Sequence, residues 1–299
     1  MKLLRLFSPR NSLIGIDIGS GNIKAAVYQG NELLTARVPA PPGGFDDFDA
    51  MVAAIAEVAS ELGYKGRQAV TTVIGEMVIV RYFSLPRMSE SELKEGMAYE
   101  IENHIPTGVQ DMVVDWAVLD NNLKQTDNRM PIILAAAPIE LVNQIYQLFK
   151  SAGLDLAAID LVPLALCRAL RKDISGEVII TDISGQWGNI VLVADGQPLF
   201  SRVITINKEE LTQSPVSGAF ELTREIQRSL VFLRSQSKRS FEPKRLIVTG
   251  DIAQMEGLIA ECQEQLGILA GAGRPGIQDY QVSPDLTTAI GLALRGRKL

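Results

Sequence analysis

Two stretches of the chain, IDIGSGNIKAAVYQGNELLTARV at residues 16–38 and TDISGQWGNIVLVADGQPLFSRV at residues 181–203, are variants of one pattern. An offset of 165 residues superposes Asp17 on Asp182, Leu34 on Leu199, Arg37 on Arg202 and Val38 on Val203, with Gly30 and Gly196 matching to within one residue. Each stretch reads as a strand, a turn of small residues headed by aspartate, a second strand, a glycine turn and a third strand. One supersecondary unit heading each half of a chain implies two similar domains that face each other. The length of 299 residues suits two moderate cores.

The intervening sequence carries further elements. Phe48, Met51, Val52, Ile55, Ala59 and Leu62 recur at helical spacing and stop at Gly63. QAVTTVIG and MVIVRYFSL read as strands. Ser89 and Glu92 form a capping box for a helix to about Asn103. MVVDWAVL and RMPIILAAAP read as strands on either side of the polar turn DNNLKQTDN, and Ile139, Val142, Ile145, Tyr146 and Phe149 mark another helix. This second pattern reads as a compact β-α-β-β-α unit inserted into the larger fold. After the second hairpin, the pattern predicts a helix over about 216–235, the strand RLIVTG, a turn at Gly250-Asp251, another helix, and a closing helix in PDLTTAIGLALRG.

Composition removes several functions. With 46% hydrophobic and 21% charged residues the chain is an ordinary globular protein, and a net charge of −6 opposes general affinity for nucleic acid or an anionic membrane. No apolar run has the ~18 residues of a membrane span. MKLLRLFSPR is too short for a signal peptide; it reads as a frayed terminus, or as a segment lying on a membrane surface. Cys167 and Cys262 have no metal-ligand spacing and read as buried free thiols. His104 is the one histidine, so a histidine metal cluster is impossible.

The hairpin turns carry the chemistry. Successive amides in a compact, side-chain-poor turn form an anion nest, and two such turns facing each other could clamp a polyphosphate. An aspartate at the head of each could hold a hydrated Mg²⁺, and Lys24 could add charge at the phosphates. GxxxxGK[ST] is absent, and GSGNIK precedes a strand pattern where a dinucleotide fingerprint would need a helix.

DIGSGNIK, TDISGQWGN and RLIVTGDIAQMEGL resemble the two phosphate loops and the adenosine loop of the actin/Hsp70/sugar-kinase superfamily. Within it, YFSLPRMSESELKEGMAYEIENHIPTGVQDMVVDWAVL, FELTREIQRSLVFLRSQ and TTAIGLALRG resemble the PilM family of type IV pilus assembly, over about residues 12–297. The resemblance implies an α/β, actin-like (ribonuclease H-like) two-domain fold with an inserted β-α-β-β-α subdomain as in FtsA. The implied boundaries are a first-domain core at 12–84, the inserted subdomain at 85–155, a return at 156–172 and a second-domain core at 173–206. A helical subdomain at 207–242, further second-domain core at 243–283 and a C-terminal helix at 284–299 packing back on the first domain complete them.

By position, the resemblance implies ATP and Mg²⁺ as ligands. Gly19, Ser20, Gly21, Asn22 and Lys24 would meet phosphate on the first loop, and Ser184, Gly185 and Gln186 on the second. Asp17 and Asp182 would hold the metal's water shell, Gly250 and Asp251 would border the adenosine, and Glu221, Arg224 and Glu225 would touch ribose or base. Two departures from the family pattern stand out: Ser184 occupies a usual glycine place with Gly188 at the hydroxyl place, and Asp251 replaces the second adenosine-loop glycine, setting a negative charge beside the nucleotide.

The implied partner is the cytoplasmic N-terminal tail of a PilN-like membrane protein, in a groove between the first-domain core and the inserted subdomain. The pilus inner-membrane platform and its motor ATPases follow as wider partners, and the implied location is cytoplasmic, peripheral to the inner membrane. A chain that has lost nucleotide and works as a scaffold is one alternative. An ATP hydrolase or small-molecule kinase of the same superfamily is another. For a kinase, Asp115, Asp120 and Glu102 are the carboxylates on offer.

Overall fold

The computed structural model describes residues 12–73, 75, 77–105, 109–119, 129–185, 187–206, 214–236, 240–276 and 282–297. The N-terminal ten residues, Asp120 and its polar turn, and Gln186 fall outside these.

The first half opens with β1 (Ile14–Ile18), β2 (Asn22–Gln29) and β3 (Glu32–Pro39), then α1 (Phe48–Glu61) and β4 (Gln68–Thr72). An excursion follows: β5 (Ile79–Pro86), α2 (Glu90–His104), β6 (Met112–Val118) and β7 (Arg129–Pro138). The chain returns through α3 (Ile139–Ser151), β8 (Asp155–Asp160) and α4 (Val162–Ala169). The second half runs β9 (Glu177–Ser184), β10 (Trp187–Ala194), β11 (Gln197–Thr205), α5 (Pro215–Gln236), β12 (Arg245–Gly250), α6 (Leu258–Leu266), β13 (Leu269–Ala272) and α7 (Thr287–Ala293).

The two large sheets have the same order, β3-β2-β1-β4-β8 and β11-β10-β9-β12-β13. Their register is duplicated as well: Ile18 pairs with Ile23 and Asp17 with Lys24, while Ile183 pairs with Gly188 and Asp182 with Asn189. Each pair in the second half lies 165 residues beyond its counterpart in the first. Asn189 therefore stands where the first half has Lys24.

A third sheet, β5-β7-β6, carries the excursion. The strand expected at 78–84 as the end of the first-domain core is β5, and it pairs along its whole length with β7, so the three-stranded sheet begins at Ile79. One face of that sheet, including Leu134 and Ala136, packs against Leu93 and Met97 of α2. Its other face, with Ile133, Ala135 and Ala137, joins the first-half core beside Met51, Ile55 and Val58 of α1. The capping box is formed, since the Ser89 amide donates to Glu92 (2.8 Å) and the Glu92 amide to the Ser89 hydroxyl (3.4 Å). Although α3 follows the excursion in sequence, its Val142, Ile145, Leu148 and Phe149 lie in the first-half core.

The halves exchange one helix each. α4 leaves the first half and lays Val162, Leu166 and Cys167 against Ile180, Val191 and Ile247 of the second sheet. α7 leaves the second half and lays Ala289, Ile290 and Ala293 against Ala26 and Tyr28 of the first sheet. Where the two cross, a Cβ at Gly291 would lie 2.0 Å from the Ala165 carbonyl oxygen; where α7 crosses β1, a Cβ at Gly15 would lie 2.2 Å from that of Ala289. These contacts set the spacing of the two sheets. Asp160, fully buried at the end of β8, locks the crossing: it accepts from Arg168 of α4, from Arg295 beyond α7 (2.7 Å) and from the Leu161 amide (2.8 Å). Burial alone would raise its carboxyl, but the two guanidiniums outweigh burial and hold it below the usual carboxylate range.

Candidate functional site

The ends of β1, β9 and β12 meet between the halves. Lys24, on β2 opposite Asp17, is 1% exposed. Its Nζ donates to Asp251 Oδ1 at 2.7 Å and to the Ser184 hydroxyl at 3.4 Å, and lies 3.7 Å from Asp285 Oδ2. Asp251 reaches that place because the chain turns at Gly250 with φ 80°, where a Cβ would sit 2.1 Å from the Ile183 carbonyl oxygen. Asp285 is buried and also held by Arg37 at 3.2 Å. Asp182 accepts the Thr249 hydroxyl on Oδ1 (2.7 Å) and the Thr288 hydroxyl on Oδ2 (3.2 Å). The two hairpin turns touch: a Cβ built at Gly185 would fall 1.8 Å from Ser20 Oγ.

Four carboxylates thus gather around one lysine and one arginine. Burial raises the Asp17 carboxyl to about 7; Lys24 pulls it down, and Asp182, Asp251 and Asp285 push it back up. Asp182 is raised too, first by burial, against its two threonine hydrogen bonds and Lys24. For Lys24 burial acts downward, yet the surrounding carboxylates outweigh it and strengthen its hold on the proton.

The structure divides the expected nucleotide contacts between two places. Asp17, Lys24, Asp182, Ser184, Asp251 and the Ser20–Gly185 contact belong to this cluster, together with Gly250 at its turn. Gly19 closes the first turn by donating its amide to the Asn22 carbonyl (3.0 Å), and Gly21 accepts from the Ala40 amide (3.1 Å). Glu221, Arg224 and Glu225 instead form a charge ladder along α5: Arg224 pairs with Glu221, and Glu225 with Arg228 and with Arg202 of β11 (3.3 Å). Glu225 and Arg228 line a groove of about 860 Å³ together with Val73, Val78, Val80, Arg81, Trp187, Asn189, Phe232 and the run Phe200–Thr205. No cluster residue, neither Lys24 nor Asp251, lines it.

This groove lies between two sheet edges, since β11 ends the second sheet and β5 ends the inserted one. The Tyr82 hydroxyl and Ser201 Oγ bridge the two strands at 3.0 Å. Phe200 and Phe232 pack at 5.3 Å on its second-half wall. Of the kinase candidates, Asp115 accepts from the Trp116 amide (3.0 Å) and Glu102 is exposed. His104 stacks on Phe83 at 4.1 Å.

With Asp251 in place, the Lys24 ammonium is not open to a phosphate. Lys24, the charge meant for phosphate, already has two carboxylates and a hydroxyl around it. A bare anion ~4 Å from an ionised carboxylate at Asp251 meets roughly 4 kcal/mol of repulsion at an effective dielectric near 20. Asp182 accepts a threonine hydroxyl on each oxygen, and among the described residues no group of three or more His, Cys, Asp or Glu is arranged to ligate a metal ion directly.

Asp285, Thr249, Thr288 and Arg37 complete the cluster without having been expected there. Asp285 and Thr288 lie 103 and 106 residues beyond Asp182 in a segment read only as a closing helix, and nothing local marks them. Arg37 was visible as a match within the repeat.

Two sheets of one topology, crossed by exchanged helices and closed by facing Asp-headed hairpins, define the chain as a protein of the actin-like ATPase fold. It belongs to the family of type IV pilus assembly protein PilM, whose model matches residues 15–223, more than half of the chain. Among solved structures it is similar to the PilM–PilN type IV pilus biogenesis complex, with TM-score 0.80 and 24% identity over 96% of this chain and 99% of that one. It is also similar in fold to the ethanolamine utilization protein EutJ from Carboxydothermus hydrogenoformans, with TM-score 0.54 and 15% identity over 98% of this chain and 92% of that one. The cytoplasmic domain of EpsL, an inner membrane component of the type II secretion system of Vibrio cholerae, follows at TM-score 0.53 and 12% identity, covering 94% and 93%. None of the curated proteins matches the chain. Among the described residues no helix is long and apolar enough to cross a membrane.

Proposed function

We propose that this chain is the cytoplasmic, membrane-peripheral platform of a type IV pilus machine and docks the N-terminal tail of a PilN-like membrane protein. The observation that carries the reading is the groove between β5 and β11. A terminal strand leaves backbone N–H and C=O groups unpaired, so an extended segment can add to it by main-chain hydrogen bonds. Val80, Trp187 and Phe232 offer apolar wall for alternate side chains, and Arg81, Arg202 and Arg228 against the one carboxylate of Glu225 leave the lining net cationic. Family membership and the similarity to a PilM–PilN complex support the same partner class. The groove differs from the sequence-based expectation in having a wall from the second half, so the tail would touch both halves at once.

ATP and Mg²⁺, which the family resemblance implies, are left out of this reading because Asp251 already pairs with the Lys24 ammonium that would meet phosphate. The motor ATPases and the wider platform enter through the docked partner.

The test is fluorescence anisotropy with a labelled peptide of a PilN-like N-terminal tail. Arg81 and Phe232 are exposed groove residues, and Arg81→Glu and Phe232→Glu should each weaken binding at least about tenfold, the first leaving the melt unchanged and the second lowering it slightly through the lost packing on Phe200. Unchanged affinity in both variants would refute docking in this groove.

A further inference from the structure

We infer that Asp251 is a built-in substitute for a phosphate: it neutralises Lys24 from across the cleft and so holds the two halves closed without nucleotide.

Three observations carry this. Lys24 comes from β2 of the first half and Asp251 from the end of β12 of the second, yet their 2.7 Å contact is shorter than any other made by the Lys24 ammonium. Lys24 is buried to 1% exposure while Asp251 remains 43% exposed. The carboxylate therefore caps the buried ammonium from the solvent side, where an incoming anion would have to approach. Finally, the two turns already approach each other closely with no bridging group, since a Cβ built at Gly185 would fall 1.8 Å from Ser20 Oγ. A fixed carboxylate meets the ammonium's need for an anion in every closed molecule, whereas a nucleotide would do so only when bound.

The consequence is a platform whose closed form does not depend on nucleotide supply. Because Asp251 lies outside the groove between β5 and β11, this inference stands or falls apart from the docking proposal.

The experiment compares the full chain with Asp251→Gly and Asp251→Asn in thermal melts against Mg-ATP, alongside hydrogen exchange of the cleft turns. The wild type should show no concentration-dependent rise in Tm up to about 5 mM Mg-ATP. Both variants should acquire one, and adding Lys24→Ala should abolish the gain. Without nucleotide, exchange at Gly19–Asn22 should speed up at least about tenfold in both variants. A Lys24-dependent rise in the wild type would overturn the inference, as would folded variants that gain no rise or keep wild-type exchange. Loss of the cooperative melt in both variants would also count against it, because Asp251 would then be holding the fold and not the cleft.

Discussion

Asp17 shows how one residue's surroundings set a pH dependence. Its carboxyl is raised to about 7, first by burial and then by Asp182, Asp251 and Asp285 against Lys24. A carboxyl whose folded value exceeds its unfolded value of 3.8 binds more protons in the native state between those two values, so its contribution to stability falls as pH rises through that window. Asp17→Asn, which keeps the shape of the neutral form, should therefore stabilise the protein at pH 8 by at most about 4 kcal/mol, with the gain shrinking toward zero below pH 4. Urea melts of both proteins across that range check it. A gain that grows on acidification would mean that the ionised form is the favoured one.

At the scale of elements, the fold depends on two short helices crossing, and the crossing depends on Asp160. Replacing a carboxylate that two guanidiniums share removes the buried negative charge between them, and Asp160→Asn should cost about 3 kcal/mol. The wild-type advantage should be present above the unfolded value of 3.8 and be lost as pH falls through the depressed folded value. Denaturant midpoints at pH 7 and pH 3 measure both statements. Most elements here were legible in the sequence, because α1, α2 and the hairpins each carry their own period, cap or glycine turn. What was not legible is where elements go. β5 reads as a strand like any other, and only its pairing with β7 assigns it to the inserted sheet. α3 carries its helical period in sequence, but nothing there says that its apolar face belongs to the core on the far side of the excursion.

For the whole molecule, the repeat at an offset of 165 announced two facing halves, and the duplicated sheet order agrees with it. The resemblance also supplied Lys24 and Asp251, and it marked Asp251 as a departure. Their direct contact was not readable, because it joins residues 227 apart through the closure of two domains. Glu221, Arg224 and Glu225 of α5 were expected at the nucleotide by position along the chain, and Glu225 lines the groove and pairs with Arg202. The central claim is that the halves are clamped by the chain's own charges. A double-mutant cycle of Lys24→Met and Asp251→Asn, read by urea unfolding at neutral pH, tests it most directly. The two losses should be coupled by about 1 kcal/mol or more, whereas losses that add to within roughly 0.5 kcal/mol would contradict the clamp.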